Sequence, residues 1–132
     1  MKNLRILSLL MALVFICSCG NMETAVYNED TVLGEGAKTL TLKVTDTEKT
    51  ITFTIKSDAK TVGDALSEHK LIAGEAGQFG LYIKMVNGVR ADYDKDGAYW
   101  GFYDKNGEYM MSGVDTTELN DGDTYELKYT KG

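Results

Sequence analysis

The sequence predicts a single small α+β domain: a mostly antiparallel sheet with one short helix. Three observations carry this. Apolar residues alternate with polar ones in several separate runs, one run switches to helical spacing, and glycine-containing turn signals punctuate the rest.

The first run sets Leu40, Leu42 and Val44 on one face and Thr39, Thr41 and Lys43 on the other. After a polar turn around Asp46 to Lys49, the alternation resumes as Ile51, Phe53 and Ile55. Period two on both sides of a polar turn describes a hairpin with one buried face. Thr61 then offers a helix cap, with Asp64 three residues on in the place a capping box gives to Glu. Val62, Ala65, Leu66 and His69 fall at i, i+3, i+4 and i+7, one face of a helix of about three turns.

Leu71 to Gly80 reads as a glycine-rich loop with a brief strand. Leu81 to Val86 is a strand ended by Asn87-Gly88, and Tyr99 to Asp104 is a strand ended by Asn106-Gly107. Asn-Gly marks tight hairpin turns because both residues tolerate φ > 0. Asn120 to Asp123 forms a third turn, and Tyr125, Leu127 and Tyr129 alternate in a last strand. The order ββαβ followed by further strands suits a β-grasp-like arrangement.

The chain begins differently. Lys2 and Arg5 precede an apolar run from Ile6 to Ile16, as in a secretory signal, and the run is short for a membrane span. Ile16-Cys17-Ser18-Cys19 resembles the lipobox of bacterial lipoproteins. That resemblance implies lipidation of Cys19, a signal peptide over 1–18, and attachment to the extracytoplasmic face of the cell membrane. Residues 19–37 read as a flexible tether and 38–132 as the domain. Both cysteines lie in the signal region, so the domain is expected to fold without disulfides.

The net charge is −6, and removing Lys2 and Arg5 makes it more negative. An acidic domain repels phosphate backbones, which argues against nucleic acid as a partner. No Ser/His/Asp set can be assembled around the single histidine, and no Cys nucleophile remains after maturation, so no catalytic residue is assigned and no enzyme is expected. His69 reads as structural or solvent-facing. Asp115, Asp121 and Asp123 read as turn residues. Asp92 to Gly97 is similar to the first half of an EF-hand calcium loop, but Tyr103 stands at the twelfth position. The segment therefore reads as an acidic turn, with weak calcium binding as a minor alternative and no metal ligand assigned.

The second half carries a longer resemblance. Thr61-Val62-Gly63-Asp64-Ala65-Leu66 is followed by Val86-Asn87-Gly88-Val89, Tyr99-Trp100-Gly101-Phe102-Tyr103, Gly113-Val114-Asp115 and Asp121-Gly122-Asp123-Thr124-Tyr125. Over residues 38 to 131 this resembles the DUF4430 family, common in lipoproteins of Gram-positive bacteria. It is also similar to the small C-terminal β-domain of the transcobalamin and intrinsic factor proteins, which bind cobalamin. The resemblance implies a small-molecule ligand, with a corrinoid as first candidate and no required cofactor, and a membrane transporter or surface protein as partner. Tyr99, Trp100, Phe102, Gly113 and Val114 match positions near the corrin-facing part of those domains. The helical domain that closes the carriers over their ligand has no counterpart here, so a corrinoid site would be half a site.

On a strand, Tyr99, Gly101 and Tyr103 share one face and Trp100 and Phe102 the other. Two tyrosines separated by a glycine could offer a platform for a planar ligand. The ligand-binding candidates are accordingly Tyr99, Trp100, Phe102, Tyr103, Gly113 and Val114. The alternative is a cell-surface protein–protein interaction module with no small-molecule ligand.

Overall fold

The structure, a computed structural model, describes residues 25–132 apart from Phe79. The signal region and Cys19 lie outside the described residues.

Strands β2 (Lys38–Thr45) and β3 (Thr50–Ser57) form the expected hairpin. Its register sets Leu40 opposite Ile55, Leu42 opposite Phe53 and Val44 opposite Ile51, all buried. The Asp46 carboxylate closes the turn by accepting the backbone N–H groups of Glu48 and Lys49. Helix α1 (Val62–Glu68) follows. The Thr61 hydroxyl accepts the Asp64 N–H at 3.1 Å, satisfying one donor of the first turn. The helix is shorter than the spacing predicts, for it ends at His69 where Lys70 takes φ 56°. Val62, Ala65 and Leu66 still bury its apolar face.

Strands β4 (Ile72–Gly77), β5 (Gly80–Val86) and β6 (Val89–Arg90) make an antiparallel sheet of their own. Asn87 and Gly88 link the last two at φ 51° and 82°, as the Asn-Gly signal requires. A one-turn helix α2 (Tyr93–Asp96) leads into β7 (Ala98–Asp104). A short 3-10 turn (Val114–Thr116) precedes β8 (Thr124–Lys131).

The α+β class stands, with far more strand than helix, and the strands divide between two sheets. The larger has the order β1 (Thr31–Gly34), β3, β2, β8, β7, and β8 lies parallel to β2 at its centre. Alternation along a strand tells which face is buried and says nothing about which neighbour lies beside it. The parallel pairing arises because β8 returns to the sheet after the long crossover through α1 and the small sheet.

Part of the predicted tether is a correction. Thr31–Gly34 forms β1, parallel to β3 at the sheet margin. Upstream of it, the Tyr27 ring meets Phe53 edge-on at 5.5 Å. The Asn87 side chain grips the Tyr27 backbone from both sides, accepting its N–H at 2.9 Å and donating to its carbonyl at 3.0 Å. Four residues are too few to show a period, so only the finished sheet edge makes this strand.

Candidate functional site

Strand β7 places the aromatic candidates. Ala98, Trp100 and Phe102 face the core. The Trp100 indole N–H donates to the Val89 carbonyl at 3.0 Å, and its ring meets Tyr129 edge-on at 5.7 Å. Phe102 packs on Tyr125 with ring centres 5.1 Å apart. The ring pairs join β7 to β8 within the larger sheet, the indole bond to Val89 reaches the small sheet, and Trp100 and Phe102 also line a cleft.

The cleft, about 280 Å³, lies between β5 and β7 and is walled by the segment before the 3-10 turn. Tyr99, Trp100, Phe102, Gly113 and Val114 all line it. Leu81, Tyr82, Ile83, Tyr109, Met110, Met111 and Ser112 complete the lining, so no charged side chain among the described residues faces it. The sequence reading missed these further residues. The run Tyr109-Met110-Met111, large apolar side chains in a loop, was the available signal, and Met111 is 95% exposed.

Tyr103 lies elsewhere. Its ring covers Gly101, where a Cβ would stand 2.7 Å from it, and meets Tyr109 edge-on at 5.7 Å. The glycine thus admits a neighbouring ring of the same strand, and the expected open platform between the two tyrosines is filled. Tyr99 is half-buried, and its hydroxyl titrates above the usual 10.0. Burial disfavours its phenolate first, and repulsion from Tyr103, Tyr109 and Tyr93 adds to that.

Asp115 joins the two walls of the cleft. Its Oδ2 accepts the Leu81 N–H at 3.0 Å, tying the 3-10 turn to the start of β5. Gly80 (φ +110°) makes room, since a Cβ there would lie 2.5 Å from Asp115 Oδ1. Gly63 of α1 also lets the helix approach, for its Cβ would stand 2.9 Å from Asp115 Cα. The Thr117 hydroxyl donates to the Gly113 carbonyl at 2.7 Å and steadies the same turn.

The other singled-out groups lie outside the cleft. Asp92 caps α2 by accepting the Asp94 N–H at 3.0 Å, so the acidic run is a helical turn. Asp121 accepts the Thr39 N–H and Asp123 the Asn120 N–H. His69 is half-buried at the helix end beside β1, its Nε2 2.9 Å from where a Gly34 Cβ would be. Among the described residues no group of three or more His, Cys, Asp or Glu side chains could hold a metal ion.

A solved structure from Ruminococcus gnavus, named a "putative metal binding protein", is 32% identical to this chain. It superposes with a TM-score of 0.68, over 73% of this chain and 99% of that one. Haptocorrin, solved in complex with Cbi, is 18% identical with a TM-score of 0.57 and shares the fold. That match covers 74% of this chain and 26% of haptocorrin, so the likeness is to about a quarter of that protein. No curated protein sequence matches. Residues 59–131 match the family described as Domain of unknown function (DUF4430), more than half of the sequence, and the chain belongs to that family.

Proposed function

We propose that this chain is a lipoprotein, anchored through Cys19 on the extracytoplasmic face of a bacterial membrane. There it binds a small molecule for uptake, in the cleft between β5 and β7, and acts by binding rather than by catalysis. The observation that carries the reading is the uncharged cleft that gathers five of the six candidate residues. Clefts lined by rings and apolar groups with few polar contacts are the usual form of a small-molecule site.

A corrinoid is the first ligand to try. It would join what the two similar structures are called, a "putative metal binding protein" and haptocorrin in complex with Cbi. A metal held inside a macrocycle needs no protein carboxylate cluster, and a flat ring suits aromatic walls. The cleft covers only part of so large a ligand, so a transporter or second protein would cover the remainder. The β2–β3 hairpin, α1 and the parallel β2–β8 pair support a β-grasp reading of the fold. Because Tyr27 is bonded to Asn87, an anchor at Cys19 would hold the domain within roughly 30 Å of the lipid surface.

A second reading, docking of a surface protein, is favoured by Met111 and Tyr109 (59% exposed) at the cleft rim. Titration of the full chain with cobinamide and cobalamin separates the two. The single tryptophan lies in the cleft floor, so saturable fluorescence change with co-elution is expected. No change and no co-elution at high micromolar ligand would reject the corrinoid.

A further inference from the structure

The chain holds two Asn-Gly pairs, Asn87-Gly88 and Asn106-Gly107. Asparagine before glycine is prone to attack on its own side chain by the next backbone nitrogen, because glycine has no Cβ to shield that nitrogen. The reaction needs a side chain free to fold back on the chain and a backbone that can open. The two pairs differ in both respects.

Asn87 is shut. It is 3% exposed. Its Oδ1 accepts the Tyr27 N–H at 2.9 Å and its Nδ2 donates to the Tyr27 carbonyl at 3.0 Å, so both ends of its amide are engaged. Its backbone N–H donates to the Leu71 carbonyl at 2.8 Å. Asn106 is exposed, in the turn after β7. It serves that turn through its backbone N–H, which donates to Asp104 Oδ1 at 2.8 Å. Gly107 (φ +82°) has nothing within 4 Å of where a Cβ would stand. One exposed bond, from the Gly107 N–H to the Asp104 carbonyl at 3.0 Å, has to open to free the attacking nitrogen.

We propose that Asn106 is a site of self-modification, where the chain converts an exposed amide to isoaspartate and so loosens one wall of the cleft. The Gly107 nitrogen gives its proton to hydroxide and bonds to Asn106 Cγ. The Cγ–Nδ2 bond breaks, and the amide nitrogen takes a proton from water and leaves as ammonia. Water then hydrolyses the succinimide at one of its two carbonyls. One opening gives aspartate. The other gives isoaspartate, whose main chain runs through the former side chain and is one carbon longer. No electrons change hands, and water is the only co-reactant.

Residues 104–110 form a bonded unit that this change disturbs. The Asp104 N–H donates to the Glu108 carbonyl at 2.9 Å, the Glu108 N–H to Asp104 Oδ1 at 3.0 Å, and the Met110 N–H to the Phe102 carbonyl at 2.9 Å. Tyr109 and Met110 line the cleft. An extra backbone carbon between residues 106 and 107 shifts the register on which these bonds depend. Either product also adds a carboxylate to a surface hollow that Asn106 shares with Asp104 and Asp123, where three acids then face one cation, Lys105. The conversion itself does not depend on what the cleft binds.

The test holds the full chain in mildly alkaline buffer and maps it by peptide mass spectrometry, with isoaspartyl methyltransferase labelling to identify the linkage. Asn106 is expected to convert at least about tenfold faster than Asn87, whose side chain must first leave two hydrogen bonds. In urea the two rates should converge, because the fold is what protects Asn87. Equal rates in the folded chain, or a faster Asn87, would overturn the proposal. So would an Asn106 that stays intact when folded while the unfolded chain converts. Asn106→Gln should abolish the isoaspartyl label, and a label that persists would place the modification elsewhere. Hydrogen exchange reads the wall: the Asp104 and Met110 amides should exchange faster after conversion. Asn106→Asp, which adds the charge without lengthening the backbone, should change them less. Unchanged exchange in the isoaspartyl chain would overturn the loosening.

Discussion

The Asp115 carboxylate accepts the backbone N–H of Leu81 at 3.0 Å, and through that bond the loop wall of the cleft is fastened to its strand wall. The contact spans 34 positions of sequence. Asp115→Ala leaves the Leu81 N–H without its partner, and a loss of about 1–3 kcal/mol in unfolding free energy is expected from urea titration. Asp115→Asn keeps an acceptor oxygen and should lose less. An Ala variant with the parent's urea midpoint would show that the bond contributes nothing.

Asn87 holds the N-terminal arm to the small sheet. Asn87→Ala removes both side-chain bonds to Tyr27 and leaves a residue with a Cβ at φ 51°. A loss of roughly 2 kcal/mol or more is expected, with faster proteolysis between residues 25 and 36. Unchanged protease resistance would mean that β1 holds without this clamp.

Tyr103 and Tyr109 touch each other but differ in what else they meet. Tyr109 lines the cleft, and Tyr103 covers Gly101. Tyr109→Ala should weaken a cleft ligand by about tenfold, as truncation of an aromatic contact does. Tyr103→Ala should leave affinity within about twofold. Calorimetric titration of both variants checks this, and the reverse order would move the site to the outer face of β7.

Alkaline pH should destabilise the fold. The Tyr99 hydroxyl is raised by burial and by neighbouring tyrosines, and the Tyr125 hydroxyl by burial and then by Asp123 and Asp104. Between the unfolded value near 10 and the raised folded value, the unfolded chain binds fewer protons than the native one. The stabilising contribution is complete below about pH 10 and is lost as pH rises through the folded values. Melting temperatures measured from pH 8 to 11.5 should fall above about pH 10, and Tyr125→Phe should reduce the fall. A flat profile would remove the tyrosines from the account.

Much of the fold was legible locally. The buried faces of β2, β3 and α1 follow from apolar spacing, and the Asn87-Gly88 turn and Thr61 cap follow from what those residues do to a backbone within a few positions. The aromatic strand was legible as a candidate because Tyr99, Trp100 and Phe102 stand together in sequence. Its neighbours in the cleft come from β5 and from the segment after β7, and neither carries a periodic signal that points toward Trp100.

The sequence by itself determined the α+β class, the two faces of the hairpin, the aromatic chemistry of β7 and the family. Only the tertiary structure decided that β8 lies parallel beside β2, that Thr31–Gly34 joins the sheet, that Tyr103 fills the space over Gly101, and that β5, β7 and segment 109–114 share a cleft. The reason is physical. Side-chain spacing and turn propensity act over a few residues, whereas strand partners and cleft walls are chosen by which distant surfaces bury the most apolar area while leaving the fewest backbone groups unpaired.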